Sequence, residues 1–283
     1  MENPQFQIFR HRLSADDGTE VPFRRSPNQG GQLRPQYLLM HYTAGRDADS
    51  SIGWLTNHSS NVSAHLVIGR DGSITQLVDF NRQAWHAGSS EWNGLSGLNR
   101  HAIGIELDNA GKLQRRGGRW YSWFEQAFED DDVVEATHKH ESIPTGWHAF
   151  PARQIEVAMA AAAAIVRHYN LYDVIGHDDV SPHRKVDPGP AFPMLSFRSR
   201  IMGRQDDEDV LFATTTFLNI RMGPGTEFDR LPAGPLPPNT RVLLLSTHAT
   251  WKFVEVIDEL EGEGCGVKGW VSGRFLRRSP DGI

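Results

Sequence analysis

The segment Gly176–Gly189 reads GHDDVSPHRKVDPG and puts an imidazole, an ammonium and a carboxylate, those of His177, Lys185 and Asp187, in one turn-rich stretch. Pro182, Pro188 and Gly189 forbid a continuous helix there, so the backbone must fold back and can bring the three polar ends towards a common point. A metal needs that convergence: His nitrogen and Asp oxygen are ordinary zinc ligands, and a catalytic zinc takes three protein ligands and leaves its fourth position to water. The third ligand must then come from elsewhere in the chain. Taken alone, a His and an Asp at this spacing also describe a polar surface loop, because short motifs match by chance.

Short apolar runs must position these groups. Tyr37–Met40 reads as a buried strand with His41 at its end, and Tyr42-Thr43-Ala44-Gly45 leaves it, so His41 is presented where α/β proteins tend to place chemistry. Asp173-Val174-Ile175 is a second brief strand, delivering Gly176-His177. In Ile103–Leu107 one carboxylate, Glu106, sits among residues that want burial. Buried, it is costly unless paired, and desolvation would raise its pKa towards the range useful for proton transfer; plain alternation with Glu106 facing solvent is the competing reading. Ala84-Trp85-His86-Ala87-Gly88 is either a packed loop or part of a site.

The intervening elements fit an α/β scaffold. A short helix is expected over Asp49–Leu55, capped by Asp49 or Ser50. Strands Ala64–Ile68 and Ser73–Val78 are joined through Asp71-Gly72, a favoured hairpin dipeptide. Pro151–Tyr169 is the clearest helix: Ile155, Ala158, Met159, Ala162, Ile165, Val166 and Tyr169 recur at three- and four-residue steps, with Pro151 suited to the first turn and Asn170 to the end. Residues 1–35 read as an irregular lead-in. From 108 to 150 regular patterning is lost, aromatics mixing with the acidic run Glu129–Asp132 and with His138, His140 and His148. That stretch is expected to be an insertion able to rim a cleft, its charge run a solvated face and not a second metal site.

After Phe192 a polar linker over residues 204–210 leads to a different grammar. Short β-type runs (Phe217–Ile220, Arg241–Leu245, Phe253–Val256 and Gly269–Val271) alternate with Gly/Pro turns, which is the pattern of a small all-β barrel over 211–283. The balance of 29 basic against 35 acidic residues gives −6 and argues against nucleic acid as a partner. No apolar run approaches membrane-spanning length, and the first residues show no secretory signal. Cys265 is the one cysteine, which excludes an intrachain disulfide framework.

The segments LLMHYTAG, VSAHLVIGRDGSITQLV, AWHAG, IGIELDNAG and IGHDDVSPHRKVDPGPAF, running from Tyr37 to Phe192, resemble in order the zinc-dependent N-acetylmuramoyl-L-alanine amidases of the type 2 amidase and peptidoglycan-recognition superfamily. The resemblance implies an α/β domain over 36–203, a mixed β-sheet flanked by helices, with His41, His177 and Asp187 as Zn2+ ligands. It implies Glu106 as catalytic carboxylate and Lys185 as the charge that steadies the oxyanion, and it leaves Trp85 and His86 as candidate substrate contacts. Some relatives carry a tyrosine where this chain has Ala64, which places the catalytic burden on Glu106. Phe217–Gly225 and Gly269–Ser272 resemble a bacterial SH3-like domain, of the sort that binds cell-wall peptide or glycan.

The implied partner is peptidoglycan or a muropeptide, and the implied reaction is hydrolysis of the amide between N-acetylmuramic acid and L-alanine. A wall-lytic enzyme that reaches the wall by a signal-independent route, as endolysins do, is the favoured setting. A cytosolic recycling amidase, a non-catalytic peptidoglycan-binding protein and a structural zinc protein are the alternatives. The last is disfavoured because a structural zinc normally takes four protein ligands, often cysteines.

Overall fold

The computed structural model describes residues 4–202, 211–258 and 266–279. Cys265 and the expected linker over 204–210 lie outside the described residues. Two compact units form: one by the chain up to Gly111 with Phe124–Gln126 and Ala149–Pro188, the other by Lys112–Trp123, Ala127–His148 and the chain from Gly189 onward.

In chain order the elements used below are β1 (Tyr37–Tyr42), α1 (Ala48–Leu55), β2 (Leu66–Ile68), β3 (Ile74–Gln76), β4 (Ala102–Leu107), β5 (Lys112–Arg116), β6 (Arg119–Tyr121), β7 (Ala127–Phe128), β8 (Val133–Ala136), β9 (Thr145–His148), α2 (Ala152–Tyr169), β10 (Asp173–Gly176), α3 (His177–Val180), α4 (Met194–Met202), β11 (Leu211–Thr214), β12 (Arg241–His248), β13 (Trp251–Val256), β14 (Lys268–Ser272) and β15 (Leu276–Arg278).

The first unit is built on a mixed sheet of order β10-β1-β4-β2-β3, in which only β2–β3 is antiparallel. Its central strands are apolar because both faces are covered: Leu38, Leu39 and Met40 of β1 and Ile103 and Ile105 of β4 are fully buried. Helix α2 supplies part of that cover. Val157, Ala158, Ala161, Ala162, Ile165 and Val166 form its buried stripe, the alanines permitting close approach, and Asn170 ends it in a left-handed conformation at φ 51°. Buried Gln154 donates to the Ile68 and Asp108 carbonyls at 2.9 and 3.0 Å, tying α2 to the ends of β2 and β4. Helix α1 begins one residue earlier than expected, because Asp47 caps it by accepting from the Ser50 N–H.

The lead-in departs from the irregular coil expected of it. Phe6–Phe9 and Arg12–Ala15 form an antiparallel hairpin, and Gln29–Gln32 pairs with Arg82–Ala84. The hairpin's anchor is Gln76 of β3, fully buried, whose side chain accepts from the Leu13 N–H at 2.9 Å and donates to the His11 and Val78 carbonyls at 3.0 Å. Gln76→Leu strands these groups without partners and is expected to cost about 3 kcal/mol, measurable as a shift in the urea midpoint at constant m-value.

The stretch 108–150 also departs from expectation. It is not one long loop, for it carries five strands that form an antiparallel sheet of order β7-β6-β5-β9-β8, and these strands belong to the second unit. Strands of two to five residues are too short for alternation to be read. What holds them is Trp120, Phe128 and Trp147, all buried, with the Trp147 indole N–H donating to the Ala136 carbonyl at 2.9 Å. Thr137 donates to the Met222 carbonyl through both its N–H and its hydroxyl, at 3.1 Å, joining this sheet to the C-terminal strands.

Those strands make an antiparallel sheet of order β14-β13-β12-β11-β15 around Leu218, Ile220, Leu236, Val242, Val254, Val256 and Val271. Phe217–Ile220, expected as a strand, contributes only an isolated bridge, Leu218 to Leu236, and its place in the sheet is taken by β11. Leu218 and Ile220 face inward all the same, while Phe217 is exposed, so the apolar run located a buried segment but not its pairing.

Candidate metal centre

The strand register sets the site. Gly176 of β10 lies beside Met40 of β1, and Glu106 of β4 lies beside His41, so three adjacent parallel strands end in His177, His41 and Glu106. The carboxyl ends of parallel strands are where open α/β sheets present ligands. Asp187 reaches the same edge because its loop closes on itself. The Asp178 N–H donates to the Asp187 carbonyl at 2.8 Å, and the Arg184 and Lys185 N–H groups both donate to the Ser181 carbonyl.

The three side chains meet, all buried. His41 Nδ1 lies 2.9 Å from His177 Nδ1 and 3.0 Å from Asp187 Oδ2, and His177 Nδ1 lies 2.9 Å from that oxygen. The other nitrogen of His177, Nε2, is 3.2 Å from the Ala87 carbonyl, which can only accept; Nε2 therefore carries a proton, and in the neutral ring that a metal ligand must be, Nδ1 turns a lone pair towards Asp187. Two acceptors at that separation repel unless positive charge lies between them. A tetrahedral zinc with bonds of ~2.0–2.1 Å holds its ligands about 3.3 Å apart, close to the sides of this triangle, so the donor set fits zinc in both chemistry and size. Burial pushes His41 down to about 4, assisted by His177 and opposed by Asp187, leaving it neutral at pH 7 as a ligand must be.

Glu106 faces a cleft of about 110 Å³ lined by Thr43, Ser50, Ser51, Trp54 and Leu55. Among the described residues its Oε2 has no hydrogen-bond partner, and neither has the buried hydroxyl of Ser51 in the same wall. Burial, reinforced by Asp187 and opposed by Lys185, raises the Glu106 carboxyl to about 8. Lys185 is half-buried and close enough to act on both His41 and Glu106, while its ammonium pairs with no carboxylate among the described residues. A base without a hydrogen-bond partner, an unpaired cation and a cluster able to hold a metal are the parts needed to hydrolyse an amide.

Trp85 and His86 are placed differently from one another. The Trp85 main chain is pinned to Ser63, with N–H to hydroxyl at 2.8 Å and carbonyl to N–H at 3.0 Å. His86 spends both ring nitrogens inside the protein: Nδ1 is 3.0 Å from His41 Nε2, and Nε2 is 3.2 Å from the Ala102 carbonyl. No polar atom of its ring is left for the substrate contact expected of it. Sequence reading missed the residues that hold this loop. Asn99 Oδ1 accepts from the N–H groups of His86 and Ala87, and Arg184 donates to the Ala87 and Ser89 carbonyls. Asn99 lies in none of the segments singled out, and Arg184, though inside Gly176–Gly189, has a side chain whose task only tertiary contact reveals. His65, a motif histidine without an assigned role, is structural: Nε2 reaches the Arg82 carbonyl and Nδ1 accepts from the Gly104 N–H.

Fold and cluster together define an α/β protein with a candidate metal centre at the carboxyl edge of its parallel strands. The chain belongs to the N-acetylmuramoyl-L-alanine amidase family, whose profile it matches over residues 31–190. It is 32% identical over 200 residues to the N-acetylmuramoyl-L-alanine amidase AmiD of Escherichia coli (strain K12), covering 68% of this chain and 62% of AmiD. To the 1,6-anhydro-N-acetylmuramyl-L-alanine amidase AmpD of the same organism it is 32% identical over 139 residues, covering 48% of this chain and 57% of AmpD. A solved complex of E. coli AmiD with anhydro-N-acetylmuramic acid-L-Ala-D-gamma-Glu-L-Lys aligns with TM-score 0.46 and 29% identity over 70% of this chain and 65% of that one. The chain thus spans about three-fifths of the length of the curated relatives it matches.

Proposed function

We propose that this protein is a zinc-dependent hydrolase that cuts the amide between N-acetylmuramic acid and the L-alanine of a peptidoglycan stem peptide. The observation that carries it is the His41–His177–Asp187 triangle at one strand edge with Glu106, whose carboxylate oxygen is buried without a partner. The bond assigned is the one that the names of both AmiD and AmpD specify.

His41, His177 and Asp187 would hold the ion, which when bound supplies Lewis acidity at the scissile carbonyl and makes water a competent nucleophile near neutral pH. Glu106 takes the proton of the attacking water and returns it to the leaving amine. Lys185 offsets negative charge growing on the carbonyl oxygen, a contribution of roughly 3 kcal/mol where single such donors have been removed. Lys185→Ala is accordingly expected to lower kcat about 100-fold with little change in zinc content, read by steady-state kinetics beside metal analysis.

The β11–β15 unit serves as an SH3-like module that holds the enzyme at the cell wall, in keeping with its small antiparallel sheet and Gly/Pro turns. Mass spectrometry of products from whole sacculi and from soluble anhydro-muropeptides tests the reading. Release of free stem peptide beginning at L-alanine is the expected result, and cleavage elsewhere or none overturns it. Comparable rates on sacculi favour wall lysis, whereas activity confined to the fragments favours recycling.

A further inference from the structure

The AWHAG histidine is tied to the metal cluster by a chain of hydrogen bonds whose direction can be deduced. It begins at the Ala102 carbonyl on β4, which can only accept; His86 Nε2, 3.2 Å away, must therefore donate. With one proton on its ring, His86 offers a lone pair at Nδ1, and the atom 3.0 Å from that lone pair is His41 Nε2. His41 must then donate from Nε2, which strips Nδ1 of its proton and turns that lone pair into the triangle with His177 and Asp187. The reverse direction would set the bare Nε2 of His86 against the Ala102 carbonyl, and a doubly protonated ring would bury a charge with no carboxylate beside it.

The backbone is shaped for this contact. A Cβ on Gly104 would fall 2.6 Å from both Cγ and Nδ1 of His86, so the ring lies directly on β4 only because that residue is glycine. Asn99 fixes the other side by accepting from the His86 main-chain N–H at 3.0 Å.

We propose that His86 is a positioning residue that acts through His41, fixing the His41 tautomer so that Nδ1 is the ligand atom, with Gly104 providing the space its ring requires. The role rests on the metal-centre reading above. Such outer hydrogen bonds orient metal-binding imidazoles, and their loss typically weakens metal affinity 10–100-fold.

Long-range 15N–1H spectra of the histidine rings in the metal-free protein test the tautomers directly. A bare Nδ1 and a protonated Nε2 on His86 are expected, and a protonated Nδ1 overturns the proposal. Zinc affinity by chelator competition supplies the second readout. His86→Asn keeps an acceptor facing His41 and should hold zinc within about threefold of wild type, whereas His86→Leu should lose 10–100-fold; equal losses in the two variants, or none, overturn it. Gly104→Ala, which displaces the ring without altering it, should follow the leucine variant. If the unaltered chain takes up no zinc, the hydrolase reading falls on that result, separately from the tautomers.

Discussion

Glu106→Gln is expected to lower kcat by about 10²–10⁴-fold while the chain still takes up one zinc per molecule. The substitution keeps the side chain's size and removes its ability to accept a proton. Glu106 is outside the triangle that would bind the ion, so metal content and fold should be unchanged. Catalysis at the wild-type rate by Glu106→Ala or Glu106→Gln would remove Glu106 from the mechanism. A pH signature accompanies this result in the metal-free protein. Burial, with Asp187 adding to it, raises the folded pKa to about 8, against an unfolded value near 4.3. Between those values the folded chain binds a proton that the unfolded chain has released, so stability falls as pH rises. The penalty is absent below about pH 4 and complete above about 8. At about 1.4 kcal/mol per unit, discounted for partial exposure to the cleft, it is on the order of 3 kcal/mol. Glu106→Gln should remove that pH dependence, so the metal-free variant gains on wild type at pH 9 and matches it at pH 4, as read from denaturant midpoints.

What could be read from the sequence divides along the physics of each element. Strands β1, β4 and β10 are buried on both faces, so their apolar runs announced them, and the polar residues that end or interrupt them were conspicuous for that reason. Helix α2 announced itself by its period. The sheet β5–β9 did not, since its strands are short, its exposed faces are highly charged and its cohesion comes from aromatics distant in sequence. For the same reason the N-terminal hairpin was hidden, being held by the side chain of Gln76 and not by a hydrophobic pattern of its own. Within the site, His41, Glu106, His177, Lys185 and Asp187 could be named from their segments. The task of His86 could not, because it depends on which carbonyl its far nitrogen meets, and Ala102 carries no signal for that in its side chain.

Asp187→Asn is expected to reduce zinc affinity by at least about 10³-fold, and hydrolysis should be lost with the metal. A carboxylate oxygen is one of three atoms spaced 2.9–3.0 Å apart. The amide that replaces it either offers a neutral oxygen or turns two N–H donors into the space an ion would occupy, and both choices disfavour a dication. His177→Ala should lose metal as completely, for a different reason, since a coordinating nitrogen and the tie from Nε2 to the Ala87 carbonyl disappear together. Circular dichroism distinguishes the two routes. Asp187→Asn should keep a native spectrum, because the Asp178 N–H bond that closes the loop goes to the main-chain carbonyl of residue 187 and survives the change. Stoichiometric zinc in the Asn variant, measured by plasma emission after dialysis, would show that the metal is held elsewhere and would take the hydrolytic mechanism with it. Restoring activity by raising free zinc about 10³-fold over the wild-type requirement would instead show that Asp187 contributes affinity while His41, His177, Glu106 and Lys185 suffice for the chemistry.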